Sequence, residues 1–418
     1  LFPAGLKVIP GQVKFLSLFD NRECKYVAYR GGIGSGKSWI GAHYSIEKAA
    51  RNPHVRGLIA ANTYTQLWQT TLSSLYEVAA NYGVPIRPTS PESAAKKKVL
   101  YLWNQVEVLC RAAENQGYKT WDGFKVGWFW LDEPKDMDEA AYRTARERHR
   151  DNRVDVLEGW LTSSPVGLNW FGDVEDDPKV RVVTADSREN HFLPDDYVED
   201  LLAIMSPDMA AQQIEGKVIN IYSGNCYPNF SRNENMDELT LSDDREIIIG
   251  VDFNTNPGMH AYPMQFDGDD VYVLSEIYLK GGDTPALAKE IECQFGTGDV
   301  VIHPDAAGGQ RHSTGTSDFA ILKEYGFKLQ GRRKNPAIKD RVNAVNGRIL
   351  NAKGERHLFI DKSCKLLRND LERCTWPTLL SASYSGPLTH PGAAIGYAIE
   401  YRFPMNVKGF AVGLPKVF

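Results

Sequence analysis

The sequence predicts an α/β protein of two domains, on three observations. The chain has 418 residues, more than one hydrophobic core ordinarily organises, so two domains are the default. Between Lys25 and about Pro165, strand-like apolar runs (KYVAYR, VRGLIAAN, VGWFWLDE, EGWLTSSP) alternate with helical stretches. That alternation describes a largely parallel sheet covered by helices. In the second half, REIIIGVDF and two further strand candidates, joined by the acidic turn at 267–270, follow one another directly. Helix and strand then alternate through TPALAKEIECQF, DVVIHPDA, TSDFAILKEYGF, NPAIKDRVNAVNGRIL and HLFID. Three successive strands followed by αβαβα is the order of an RNase H-like domain. Between the halves, the helical stretch DDYVEDLLAIMSPDMAAQQIEGKVIN runs into SGNCYPNF at 223–230, where Gly, Pro and Asn break the helical period. The expected division is 1–222, with a helical linker or lid at about 195–222, and 223–418.

Composition narrows the class. With 42% hydrophobic and 24% charged residues the chain reads as an ordinary soluble protein. No apolar run approaches the roughly 18 residues of a membrane span, and LFPAGLKVIPG lacks the pattern of a signal peptide, so a cytoplasmic setting is expected. Six cysteines are scattered without a C-x-x-C pair, which argues for reduced thiols over zinc or disulfides. A net charge of -5 does not announce a nucleic-acid binder, so local charge must decide.

YRGGIGSGKSWIGAHY carries the clearest chemistry. Gly31, Gly32, Ile33, Gly34, Ser35, Gly36, Lys37 and Ser38 satisfy G-x-x-x-x-G-K-[ST] between a strand and a helix. Glycines let backbone N–H groups wrap a phosphate, Lys37 neutralises the β and γ phosphates of ATP, and Ser38 can hold Mg²⁺. GWFWLDEP ends a second apolar run in Asp132, placed for the Mg²⁺ shell, and Glu133, placed to orient or deprotonate the attacking water. Arg30 precedes the loop and is a candidate for the γ phosphate, and Gln12 is a candidate for the adenine edge. Arg143, Arg146, Arg148 and Arg150 share one expected helix and could serve a neighbouring subunit's nucleotide. LTSSP, 161–165, offers small hydroxyls at a strand end.

The second half places carboxylates in or at the end of strands: Asp252 closes IIIGVDF, Glu276 lies in VYVLSEIYL, and Asp305 closes VVIHPDA. If the strands are neighbours the three converge, and two Mg²⁺ or Mn²⁺ ions about 4 Å apart would activate water against a phosphodiester. Beyond them KLQGRRKNPAIKDR gathers Lys328, Arg332, Arg333, Lys334, Lys339 and Arg341, a clamp for a DNA backbone. AKKK at 95–98 is a weaker patch.

Taken in order, RGGIGSGKS, WFWLDEP, LTSSP, GVDF, SEIYL, HPDAAG and HPGAAIGYAIEY resemble the large terminase subunit of tailed bacteriophages over nearly the whole chain. The resemblance implies an ASCE-type P-loop ATPase joined to an RNase H-like nuclease. It implies a ring, expected to be a pentamer on the procapsid with a monomer allowed in solution, that docks on the portal protein in the host bacterial cytoplasm. A small terminase subunit and double-stranded DNA are the other implied partners, and no membrane is implied. Lys37 and Ser38 then bind phosphate and Mg²⁺, Asp132 supports the metal, Glu133 is the catalytic residue and Arg30 the arginine beside the loop. Asp252, Glu276 and Asp305 match the nuclease acids. One position departs. The family's closing helix reads H-x-x-D-A-[IL]-x-Y, and the frame here puts Ala393 where its Asp is expected. With the chain opening at Leu1, the expectation is an introduced Asp→Ala change that disables DNA cutting. A helicase-nuclease would need a second motor lobe in the short span after LTSSP. A nucleotide-switched DNA-binding scaffold would not need Asp132 and Glu133 in tandem, and a small-molecule kinase leaves the second half unexplained.

Overall fold

The computed structural model describes residues 7–405 apart from 23, 168, 220, 255–256, 311–314, 382–385 and 387. It forms two compact units. One takes in the chain to Val198 and Ala211–Asn220; the other takes in Glu199–Ala210 and the chain from Ile221. The helical stretch after the first sheet is therefore shared between the two. Ala211–Asn220 returns to the first unit, where the Gln213 carbonyl accepts from Ile33 N–H at 2.7 Å. In the second unit the Ala203 carbonyl accepts from Arg348 at 2.9 Å.

The first unit is built on β1 (Tyr26–Gly31), β2 (Gly57–Ala61), β3 (Ile86–Arg87), β4 (Val99–Leu102), β5 (Glu107–Ala112), β6 (Trp128–Asp132), β7 (Glu158–Ser163) and β8 (Val180–Ala185). Their order is β3-β4-β5-β2-β6-β7-β1-β8. β5, β2, β6, β7, β1 and β8 are parallel, and β3 and β4 add an antiparallel edge. β7 lies between β1 and β6, the extra strand of an ASCE-type P-loop sheet. Every residue of β1, β6 and β7 is buried, as a parallel strand covered on both faces requires. The strand period of two divides β6 between two cores. Trp128 and Trp130 join Trp160 under one face, while Phe129 and Leu131 join Leu161 under the other.

The second unit is built on β9 (Met236–Asp237), β10 (Ile247–Asp252), β11 (Met259–Asp267), β12 (Asp270–Val273), β13 (Ile277–Leu279), β14 (Val300–Pro304), β15 (Lys328–Leu329) and β16 (Leu358–Asp361). The order is β15-β14-β10-β11-β12-β16-β9, with β13 paired to β11. β10, β11 and β12 form an antiparallel meander, and β14 and β15 add in parallel beyond β10. This is the RNase H-like arrangement. Ile247, Ile249 and Val251 pack under the helices Thr284–Phe295 and Asp318–Glu324. The other face of β10 receives the closing helix His390–Arg402. Gly250 permits that contact, since a Cβ there would lie 2.1 Å from the Ala394 carbonyl oxygen. Asp252, two residues on, faces the same helix.

Candidate functional site

In the first unit β1 delivers the phosphate loop. Gly36, at φ 72°, caps the helix Lys37–Arg51 in the left-handed region, which glycine enters without strain. Lys37 is buried and donates from Nζ to the Gly32 carbonyl at 2.6 Å. Burial holds its pKa below the usual lysine range against the opposing pull of Glu133. Ser187 Oγ donates to the Ile33 carbonyl at 2.7 Å and Asn190 Nδ2 to the Gly34 carbonyl at 2.5 Å, so the 187–190 segment braces the loop. Ser35 Oγ closes it internally onto the Gly32 carbonyl at 2.8 Å.

Asp132 lies beside this loop because β6 ends level with β7. It is 1% exposed, and three hydroxyls serve it. Thr71 Oγ1 and Thr162 Oγ1 each donate at 2.8 Å, and Ser38 Oγ lies 3.3 Å away. Burial, then the charge of Glu133, pushes the Asp132 carboxyl up to about 6. Glu133 follows at φ 50° and accepts from Ser163 Oγ at 2.9 Å, with Lys135 Nζ at 3.1 Å. Burial raises its pKa, but Lys135 and Lys37 together pull it below the usual glutamate range. The adjacent carboxyls are thus held apart, one raised and one kept ionised. The donor set fits a hydrated Mg²⁺ beside phosphates, which takes a hydroxyl and one or two carboxylates from the protein.

Two of the expected site residues have partners elsewhere in this unit. Arg30 does not reach over the loop. Its guanidinium is turned into 171–175, donating to the carbonyls of Phe171 at 3.3 Å and Gly172 at 2.9 Å and pairing with Glu175. Gln12 is likewise engaged within the chain. Its Nε2 donates to the Gly36 carbonyl at 3.2 Å and its Oε1 accepts from Ile9 N–H at 3.1 Å, which ties the first helix to the loop. Of the four arginines after the acidic pair, Arg146 is held by Asp177 and lies over Tyr26 and Tyr142, and Arg148 is paired with Asp122. Arg143 is 71% exposed and paired with Glu139, one helical turn back. Arg150 is exposed.

In the second unit Asp252 and Asp305 end adjacent parallel strands, and Asp305 N–H donates to the Val251 carbonyl at 2.9 Å. Both line a cleft of about 460 Å³ with Asp318, Arg341, His390, Ala393 and Tyr397. Asp252 accepts from Asn254 N–H at 3.0 Å and meets His390 Nδ1 at 3.3 Å. Asp305 accepts from Ala307 N–H at 2.7 Å, Asn335 Nδ2 at 2.6 Å and Tyr397 Oη at 3.1 Å.

Glu276 is the third residue so engaged. It lies between β12 and β13 rather than within a strand, and it is not among the residues lining the cleft. Its carboxylate caps the helix Lys365–Arg373 instead, accepting from Lys365 and Leu366 at 2.9 Å each and from Leu367 at 3.2 Å. Three helix N–H groups satisfy it locally. The third carboxylate on the cleft is Asp318, buried and accepting from Thr284 Oγ1 at 2.5 Å. The sequence reading passed over it because it opens a helix and ends no strand. Two oxygen-donor carboxylates fit a divalent cation. Among the described residues, however, no group of three or more His, Cys, Asp or Glu side chains stands close enough to hold one, and Ala393 offers no donor.

The basic stretch is dispersed. Arg332 forms a bidentate pair with Glu400 at 2.6 and 2.8 Å. Lys339 Nζ lies 3.9 Å from the Tyr222 ring centre, Arg333 and Lys334 are exposed, and Arg341 is buried in the cleft wall.

The amino-terminal family model described as terminase large subunit, T4likevirus-type, matches residues 28–234. No curated protein sequence matches the chain. Among solved structures, the large terminase from a thermophilic bacteriophage is similar at 12% identity and a TM-score of 0.63, over 95% of this chain and 99% of that one. The same phage's protein in complex with ATP-gamma-S gives 14% identity and a TM-score of 0.61 over 94% and 99%. Its ADP complex gives 14% and 0.59 over 87% and 90%. Among the described residues no helix is long and apolar enough to cross a membrane. Family model, two-sheet fold and full-length structural likeness agree, and the chain belongs to the large terminase subunits of tailed bacteriophages, DNA-packaging enzymes that combine an ATPase with a nuclease.

Proposed function

We propose that residues 1–222 form a motor that hydrolyses ATP to drive double-stranded DNA through the portal into the procapsid, and that 223–418 form the nuclease that cuts the DNA concatemer. The reading includes a pentamer docked on the procapsid in the host cytoplasm, with the small terminase subunit as partner. The observation that carries it is the environment of Asp132 and Glu133. Three hydroxyls hold Asp132 next to the phosphate loop, while Glu133 stays ionised at the strand end beside it.

Phosphoryl transfer to water asks chiefly for positioning and charge. Lys37 would leave the Gly32 carbonyl for the β and γ phosphates, and Ser38 and Asp132 would hold Mg²⁺. Mg²⁺ bound with ATP supplies neutralisation of the phosphate charge. Glu133 would orient the attacking water and take its proton, with Ser163 and Lys135 fixing its direction. Relatives solved with ATP-gamma-S and ADP support a nucleotide in this unit.

In the second unit Asp252 and Asp305 would hold one Mg²⁺ or Mn²⁺, which polarises a phosphodiester when bound. A second ion lacks ligands with Glu276 turned to a helix end and Ala393 without a carboxylate, which supports a disabled or weakened nuclease. Lys328, Arg333, Lys334 and Lys339 are exposed cations of the basic stretch available to the DNA backbone.

The test is Glu133→Gln. DNA-stimulated ATP turnover is expected to fall by a factor of about 10²–10⁴, the usual loss of a general base, with fluorescent-ATP binding retained. Turnover within a few fold of the unchanged protein would overturn the assignment.

A further inference from the structure

The cleft of the second unit holds a cation that the metal reading does not use. Arg341 is 8% exposed yet lines the cleft with Asp252, Asp305 and Ala393. Its guanidinium carbon lies 4.6 Å from the centre of the Tyr397 ring, and Tyr397 Oη donates onward to Asp305 at 3.1 Å. Among the described residues Arg341 makes no ion pair and no side-chain hydrogen bond. A buried charge without a partner is costly, and the fold makes room for this one. A Cβ at Gly396 would sit 2.5 Å from Arg341 Cγ and 2.8 Å from Cδ, so the glycine lets the arginine stem cross the closing helix. Arg332, earlier on the same basic stretch, is by contrast neutralised by Glu400.

We propose that Arg341 is the phosphate-binding residue of this cleft, its guanidinium taking a non-bridging oxygen of the DNA phosphate that lies against Asp252 and Asp305. The proposal rests on reading the cleft as the nuclease site. The carboxylates of the cleft, Asp252, Asp305 and Asp318, would by themselves repel a phosphodiester. A guanidinium offers two parallel N–H groups that match phosphate oxygens. The Tyr397 ring holds the guanidinium by a cation–π contact, and its hydroxyl links that ring to Asp305. Arg341 is thus a specific contact within the site and not one more charge of an exposed clamp.

The experiment is fluorescence anisotropy of a labelled DNA duplex with the full chain, titrated with salt in Ca²⁺ and again in EDTA. Arg341→Gln is expected to weaken binding in Ca²⁺ by about tenfold and to lower the salt slope by about one, the signature of one lost phosphate contact. Arg341→Lys keeps the charge without the fork and should restore the slope while leaving affinity several-fold weak. Gly396→Ala keeps the arginine and displaces its stem, so it should weaken binding without altering any charge. Lys289→Gln removes an exposed charge on the helix Thr284–Phe295 and controls for net charge alone. If Arg341→Gln unfolds, the other two cleft variants carry the test. Affinity and slope unchanged in folded Arg341→Gln, or unchanged affinity in both Arg341→Lys and Gly396→Ala, overturn the proposal. If Asp252→Asn and Asp305→Asn leave Mn²⁺ binding by calorimetry unchanged, the nuclease-site reading itself fails.

Discussion

Asp132 and Asp252 both end a buried strand at the heart of a sheet, but their surroundings differ. Asp132 is served by three hydroxyls and lies next to a lysine and an ionised glutamate, so the groups that ATP and Mg²⁺ require are present and mutually braced. Asp252 and Asp305 rest on backbone N–H groups, an asparagine, a tyrosine and a histidine around an open cleft. The first site is a closed hydrogen-bond network. The second lines one cleft with carboxylates, the Arg341 guanidinium and the small side chain of Ala393. In the first unit a single change removes part of a braced network; in the second it can add a donor to an open cleft.

The largest expected effect tests that asymmetry directly. Ala393→Asp should raise Mn²⁺-dependent plasmid cutting by ten- to a hundred-fold, the scale on which metal-site groups usually act. Equal cutting before and after would remove Ala393 from the account of the cleft. Next comes the contact that builds the second site. Gly250→Ala forces a methyl against the Ala394 carbonyl, and overpacking of this kind costs about 1–3 kcal/mol. Thermal unfolding should show the second unit melting early while ATP binding by the first is kept. Unfolding at the original temperature would mean the closing helix does not need this approach.

In the first unit, Thr71→Val removes one hydroxyl from Asp132 and should cost about 1–2 kcal/mol, the usual loss at a buried acceptor, with a raised KM for Mg·ATP. An unchanged KM and stability would show Thr71 to be a bystander. The smallest effect is one of pH. Asp370 is fully buried and accepts from Thr389 N–H at 2.8 Å and Gly392 N–H at 2.7 Å, capping the closing helix. Burial pushes its carboxyl up to about 6 against the pull of those N–H groups. The folded state then binds more protons than the unfolded state between about 4 and 6, so this group's contribution falls as pH rises through that window. Asp370→Asn should flatten the denaturant midpoint across that range relative to the unchanged protein, and parallel profiles would sink the assignment.

Much of the fold was legible because its elements are local. The strand runs of the first half and the G-x-x-x-x-G-K-S loop are contiguous, and a phosphate loop needs only its own glycines, lysine and serine. Thr162 could be found from LTSSP, whereas Thr71 carries no sequence signal because it reaches Asp132 from a separate helical segment. Sequence and structure part where a polar side chain has competing partners. Arg30 and Gln12 sit in the right places along the chain but are taken up by backbone carbonyls and an N–H. Glu276 reads as a strand acid, yet the N-terminus of the helix Lys365–Arg373 lies within reach and offers it free donors.

By itself the sequence determined the alternation of strands and helices, the phosphate loop, the Asp132–Glu133 tandem and the absence of a carboxylate at 393, since each depends on residue type and short spacing. Only the tertiary structure decided which acids share a cleft, that Asp370 supplies the cap HPGAAIGY lacks, and that Arg341 lines the cleft of Asp252 and Asp305 while Arg332 is neutralised. Those outcomes depend on which distant groups reach a buried charge first, and a buried charge takes the nearest partner the fold provides.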